Sequence, residues 1–209
     1  MTGTGPFDKY PDLYEQWFEK NEYIYRSELK AVKRMLPGKG RGLEIGVGSG
    51  RFAAPAGIRF GVEPSAEMRA LARERGLEVI DGTAENLPLD DETFDYVLMV
   101  TTVCFLDDIE AAFAEACRVL KPGGCFIAGL VDRESRLGRL YQDKKDKSRF
   151  YGAATFFSAG EILSYLERAG FGDFSSVQTI FRDLKEIDSP EPVREGFGEG
   201  SFVVIRGIK

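Results

Sequence analysis

The sequence predicts an α/β fold: a three-layer sandwich in which a mostly parallel seven-stranded sheet lies between helices, its final strand antiparallel. Three observations point to it. Apolar runs of strand length alternate with segments of helical periodicity, which builds a parallel sheet with helices on both faces. The run 94–100 is nearly all apolar, as a strand buried on both faces must be. The stretch Leu43-Glu44-Ile45-Gly46-Val47-Gly48-Ser49-Gly50 reads as a strand that ends in an acid and three alternating glycines. Glycine lacks a Cβ and tolerates positive φ, so backbone there can approach a ligand closely.

In chain order, residues 12–36 read as one or two helices. Leu13 and Trp17 share one face, and Ile24, Glu28, Val32 and Met35 share another at three- and four-residue steps. Pro37-Gly38 stops that run. Strand one is 42–45. The connection 51–56 is short and holds Pro55, so its helix should be stunted. Strand two is 59–62. Ser65 is the N-cap candidate for a helix over 66–75, ended by Gly76. Strand three is 77–80, followed by the loop 81–88. Strand four is 94–100, and a helix over 109–120 places Ile109, Phe113, Ala116 and Leu120 on one side. Lys121-Pro122-Gly123-Gly124 is the turn into strand five, 125–131.

Residues 132–154 break this rhythm with Arg133, Arg136, Arg139, Lys144, Lys145, Lys147 and Arg149 interleaved with Tyr141, Phe150 and Tyr151. Ser158 caps a helix over 159–169, closed by Gly170. Segments 174–181 and 202–206 form two final strands. The link 183–200, rich in charge, Pro and Gly, reads as a surface loop. The whole of 1–209 is expected to form a single domain. Its N-terminal helical segment 1–37 and the insertion 132–155 are the candidate substrate cap.

Composition narrows the function. The chain has 209 residues, 43% hydrophobic and 30% charged, with a net charge of −6, so a bulk nucleic-acid partner is not expected. The apolar runs are too short to cross a bilayer. Met1-Thr2-Gly3-Thr4-Gly5-Pro6 lacks a charged-then-apolar leader, so the protein is expected in the cytoplasm. There is no histidine, which excludes Ser-His-Asp and Cys-His catalysis. Cys104, Cys117 and Cys125 have no metal-ligand spacing, and no metal is expected. Nothing beside Cys104 in the sequence would lower its pKa, so it is not read as a nucleophile.

Glu63, in Gly61-Val62-Glu63-Pro64-Ser65, closes the second strand. Strand, glycine loop, short helix, strand and acid make a nucleoside-binding βαβ unit. A dinucleotide fingerprint would require a third glycine where Arg51 stands. The loop therefore suits a ligand with a ribose but no pyrophosphate.

Four ordered blocks together resemble the class I S-adenosylmethionine-dependent methyltransferases, in the small-molecule branch related to ubiquinone and menaquinone biosynthesis. They are residues 43–50; Gly61 to Ser65; Gly82-Thr83-Ala84-Glu85-Asn86-Leu87-Pro88 with Phe94-Asp95; and Arg118-Val119-Leu120-Lys121-Pro122-Gly123-Gly124. The match covers about residues 40–131, with a weaker echo at 157–171. The resemblance implies a Rossmann-like sheet, S-adenosyl-L-methionine as cofactor and S-adenosyl-L-homocysteine as product. It implies that Glu63 and Pro64 hold the ribose side, that Gly46, Gly48 and Gly50 pass beneath the cofactor, and that Glu44 faces the methionyl ammonium directly or through water. It also places Thr83, Ala84 and Glu85 at the adenine edge, and Met99 to Thr101 along the methionyl and sulfonium side. Two departures stand out. The family usually has Asp where this chain has Thr83, and Asp81 is a candidate to compensate. The short first helix leaves the role of Arg51 open.

The expected reaction is methyl transfer to an O, N, S or C nucleophile on a small molecule. The alternatives are a macromolecular methyltransferase acting on protein or RNA through 133–149, and a cofactor-binding protein without catalysis. Val100-Thr101-Thr102-Val103 replaces the Asn/Asp-Pro-Pro-Tyr/Phe motif of amide and adenine methylation. No catalytic base is singled out; Glu15, Asp107, Asp108 and a tyrosine are candidates. The seven Lys/Arg of 133–149 suggest an acidic or phenolic acceptor. Bland readings remain for several residues: Glu44 as a loop cap, Glu85 as a solvated acid, Tyr10, Tyr14 and Trp17 as helix packing, and 133–149 as a solvated face.

Overall fold

The computed structural model describes residues 4–209; Met1, Thr2 and Gly3, part of the stretch searched for a leader, lie outside them. The helices are α1 (Gly5–Lys9), α2 (Pro11–Lys20), α3 (Glu22–Met35), α4 (Ala53–Ala56), α5 (Ala66–Glu74), α6 (Ile109–Val119), α7 (Arg136–Asp143) and α8 (Ala159–Arg168). The strands are β1 (Gly42–Ile45), β2 (Phe60–Val62), β3 (Glu78–Ile80), β4 (Phe94–Val100), β5 (Leu120–Val131), β6 (Gly172–Thr179), β7 (Arg194–Glu195) and β8 (Phe202–Ile208).

The strands form one sheet in the order β3-β2-β1-β4-β5-β8-β6-β7. β1 to β5 pair in parallel, and β8 inserts antiparallel between β5 and β6, as expected of the final strand. Strand order reverses between β1 and β4. Crossovers run outward from that point in both directions and leave a crevice at the strand ends there.

Alternation along the strands separates two cores. Val97 and Met99 of β4 pack with Phe113 and Ala116 of α6 and with Ile162 and Leu166 of α8. Leu98 and Val100 face the other way, into a core with Ile24, Val32 and Met35 of α3. Local chemistry sets the ends. The Ser65 hydroxyl accepts from Met68 N–H, and Ser158 and Glu161 form a reciprocal capping box on α8. α4 is a single turn containing Pro55 and ends on Gly57, as its short connection implies.

The sheet has eight strands, not seven. The extra one, β7, lies in the link that the sequence read as a surface loop. Its residues Arg194 and Glu195 pair with Gln178 and Val177. That link is tied down by buried polar groups. The Gln178 amide oxygen accepts from Glu199 and Gly200 N–H at 2.8 and 2.7 Å. Glu191, also buried, accepts from Arg182 Nε–H at 2.7 Å, and its own N–H donates to the Ser27 hydroxyl at 2.8 Å. Polarity alone could not reveal these partners. β5 also begins early, because Leu120 already pairs with Phe94 before a bulge resets the register at Tyr96 and Cys125. β6 begins at Gly172 rather than at 174 and stops before Ile180, whose φ is +64°. No helix of the described residues is long and apolar enough to cross a membrane.

Candidate active site

The carboxyl ends of β1 and β4 hold the unusual backbone. Gly46 and Gly48 have φ of +67° and +53°. A Cβ on Gly46 would sit 2.4 Å from Thr102 Cγ2, so no other residue fits there. A Cβ on Gly48 would lie 3.3 Å from the Tyr14 hydroxyl, which faces the loop from α2. Across the crevice, Thr101 takes φ +50°, a left-handed conformation that costs a β-branched residue about 1–3 kcal/mol. It is held by its N–H, which donates to Gly129 O at 2.8 Å, and by Cys104 Sγ on its carbonyl at 3.3 Å.

Two carboxylates are buried beside this loop. Glu63 accepts from Gly48 N–H (2.8 Å, Oε2) and Ser65 N–H (2.9 Å, Oε1), which leaves each oxygen a free lone pair. Burial raises its pKa, against those two hydrogen bonds and the Arg69 charge. Glu44 is buried more deeply. Its Oε2 has no partner, and burial holds its pKa well above the usual carboxylate range against a backbone hydrogen bond from Ala53, with the Glu63 charge raising it further. An orphaned buried carboxylate oxygen beside a second acid is a site for a cationic, hydrogen-bonding ligand.

Glu63 borders a cavity of about 400 Å³, whereas Glu44 lies behind the glycine loop and is not among the residues that line it. The glycine loop contributes Gly46 and Gly48, β2 leads to Glu63 and Pro64, and β4 leads to Val100, Thr101 and Thr102. Aromatic residues close it: Phe7, Tyr14, Trp17 and Phe18 from α1 and α2, Phe105 after β4, and Phe150 and Tyr151 after α7. Phe7 packs edge-on against Phe105 at 5.2 Å and meets Phe150 at 5.3 Å, joining the two cap segments. α1 is pinned where Ser65 Oγ donates to Asp8 Oδ1 at 2.6 Å. Burial, then the Glu63, Glu44 and Glu15 carboxylates, push the Tyr14 hydroxyl up, so it remains protonated.

Several sequence-nominated residues lie elsewhere. Met99 is fully buried in the core, and the end of β4 meets the cavity through Val100, Thr101 and Thr102 instead. Gly50 packs towards Leu77, outside the cavity. Thr83, Ala84 and Glu85 form a separate turn in which Thr83 bridges to Asn86 and Glu85 Oε1 accepts from Asp107 N–H at 2.9 Å. Asp81 makes a two-point ion pair with Arg69 at 2.9 and 3.2 Å.

Of the candidate bases, Glu15 is ion-paired to both Arg51 and Arg75, and these partners and Ser49 lower its pKa although burial opposes them. Asp108 caps α6 through Glu110 and Ala111 N–H. Cys104 is buried and its thiol is pushed up to about 12, as befits a packing residue. The basic stretch lies mostly outside the cavity, and three of its seven cations are engaged there: Arg133 pairs with Glu161, Arg136 with Asp183, and Lys145 donates to Ala154 O. Of that stretch only Arg149 reaches the cavity wall. Among the described residues no group of His, Cys, Asp and Glu is placed to hold a metal ion.

In the sequence Glu28 shows only as a helix-face residue. It is 5% exposed and lines the cavity. An acid at an interior step between Ile24 and Val32 was the available signal.

Comparison with known proteins agrees with this geometry. Residues 43–128 match the family described as a methyltransferase domain. A Thermotoga maritima crystal structure, described as an S-adenosylmethionine-dependent methyltransferase and possible histamine N-methyltransferase, superposes with a TM-score of 0.97 at 55% identity over 99% of both chains. An uncharacterised Methanocaldococcus jannaschii protein is 49% identical over 97% of this chain and 98% of its own length. Demethylmenaquinone methyltransferase of Chlorobaculum tepidum is 34% identical over 47% of this chain and 45% of its own length. The glycine crevice, its paired buried acids and these likenesses lead to one conclusion: the chain belongs to the class I S-adenosylmethionine-dependent methyltransferases and is an enzyme of that family.

Proposed function

We propose that the enzyme methylates a small-molecule acceptor bound in the aromatic cavity beside the glycine loop. The carrying observation is that the cavity of about 400 Å³, which the cofactor would share along Gly46, Gly48 and Glu63, is closed on its other side by rings from α1, α2 and the segment after α7, an apolar wall suited to a small molecule. Residues 1–37 and 132–155 then act as the cap of a single domain, the latter through Arg149, Phe150 and Tyr151.

In this reading the spare lone pairs of Glu63 accept from the ribose hydroxyls, with Pro64 alongside. The unpartnered Glu44 Oε2 faces the methionyl ammonium, directly or through water. Gly46 and Gly48 let backbone pass beneath, with Gly50 closing the turn. The turn of Thr83, Ala84 and Glu85, which lies off the cavity, would have to be reached by the adenine beyond Glu63, and the end of β4 near Thr101 borders the sulfonium. Bound S-adenosylmethionine supplies an activated methyl group with its own leaving group. The chain's part is to align the acceptor and exclude water.

The net charge of −6 and the ion-paired arginines of 133–149 support a small acceptor over a nucleic acid. The test is incubation with methyl-labelled cofactor and cell extract divided by ultrafiltration. Enzyme-dependent label is expected in the ultrafiltrate, in a compound that separates from the cofactor on chromatography. Label confined to protein or RNA would overturn the proposal.

A further inference from the structure

Glu28 lies in the middle of α3, on the face that also buries Ile24, Ala31 and Val32. That face belongs to the core, where an unpaired carboxylate is costly. Burial alone raises the Glu28 pKa, to about 8; no charge and no hydrogen bond of the described residues acts on it. Lys20 and Arg149 line the same cavity, yet neither offsets it. The titratable groups that feel its charge are Tyr141 and Tyr151, both raised by burial first. Trp17, Phe18, Phe105 and Tyr151 line the same space, and the faces of such rings attract cations.

A carboxylate without an internal counter-ion, in a cavity of aromatic rings, is suited to an organic ammonium. An ammonium cannot attack a methyl group, because its nitrogen has no lone pair, so an amine acceptor also needs a proton taken away. Glu15 is locked between arginines, Asp108 caps a helix and Tyr14 is held protonated. We propose that Glu28 binds the ammonium of a small amine acceptor and takes up its proton, so that the free amine receives the methyl group.

The inference rests on the small-molecule reading above. In the step, an N–H bond breaks as the Glu28 O–H bond forms. The freed lone pair on nitrogen makes the new C–N bond while the methyl carbon's bond to sulfur breaks, its electron pair staying on sulfur. The products are a methylated ammonium and S-adenosylhomocysteine, and Glu28 returns its proton to solvent as the product leaves. A carboxyl poised near pH 8 is suited to that exchange.

The test is calorimetric and needs no turnover. Wild type and Glu28→Gln, both saturated with S-adenosylhomocysteine, are titrated with benzylamine, benzyl alcohol and benzoate at pH about 8.5 and about 7. Wild type should prefer benzylamine by about tenfold or more. Its binding should release protons at the lower pH, read from the buffer dependence of the heat. Glu28→Gln should lose both the preference and the proton release while its S-adenosylhomocysteine affinity is retained. If the variant does not fold, Glu28→Leu, which matches the apolar face, serves the same comparison. Equal or tighter binding of the alcohol or acid by wild type overturns the proposal, as does an amine preference that survives the substitution. So does failure of an amine panel from methylamine to phenethylamine to bind. Each of these leaves the small-molecule reading standing, because enzyme-dependent transfer of label to an ultrafiltrate compound other than the cofactor tests that separately.

Discussion

At the scale of single residues, the site is built from buried acids, and two of them carry predictions. Glu63 holds two backbone donors while keeping lone pairs for a ligand. Glu63→Gln can accept from only one of those donors and turns its amide toward the other. Cofactor affinity should fall by about 1.5–3 kcal/mol by calorimetry, and the ligand-free protein should lose about 1–3 kcal/mol in urea melts. Unchanged affinity would remove Glu63 from the ribose.

Glu28 predicts a pH effect whose sign follows from its raised pKa. Between the ordinary value of 4.5 and about 8, the folded state keeps its proton while the unfolded chain has lost it. The folded state thus binds more protons in that window, so this group's contribution to stability is present below pH 4.5 and is lost as pH rises through about 8. Glu28→Gln does not ionise. Its stability relative to wild type should therefore grow between pH 5 and pH 9 by an amount on the order of a few kcal/mol. Parallel urea midpoints across that range would show that Glu28 is not held neutral.

At the scale of elements, α1 and α3 contrast. α3 buries six residues against the sheet, whereas α1 buries none. α1 is held by the Ser65–Asp8 hydrogen bond and by Phe7 against Tyr14, Phe105 and Phe150. Aromatic pairs of this kind contribute about 0.5–1.5 kcal/mol each. Opening α1 therefore breaks edge contacts without breaching either core. Hydrogen exchange should show α1 amides losing protection well before those of α3, with α1 slowed when S-adenosylhomocysteine is bound. Equal protection in the two helices would make α1 part of the core rather than a cover.

At the scale of the whole molecule, the sheet places both acids and the strained Thr101 around one reversal of strand order. A ligand there contacts the glycine loop, β2 and β4 together, so it should stabilise the entire fold. S-adenosylhomocysteine at about a hundred times its Kd should add about 2.7 kcal/mol, read as a rise in melting temperature. NAD should add nothing, because Arg51 occupies the third-glycine position and is ion-paired to Glu15. A shift with NAD alone would contradict that specificity.

The sequence by itself determined the layered fold, the first five strands, the glycine crevice and its acids. All of these are written in local patterns: alternation, periodicity, caps and glycines at strand ends. It also marked Tyr10, Tyr14 and Trp17 as aromatic, without saying what the rings would face; Phe7 of α1 carried no such signal. Only the tertiary structure decided that β7 exists, because that pairing depends on Gln178 and Glu191 finding partners far along the chain. It turned most of the basic stretch outward, because Glu161 and Asp183 compete for its arginines. It engaged Asp81 with Arg69 and carried Glu28 into the cavity. A helix face states only that its residues are buried together. Whether a buried acid meets a partner or an empty cavity depends on what other elements bring to that face, which spacing along one chain does not encode.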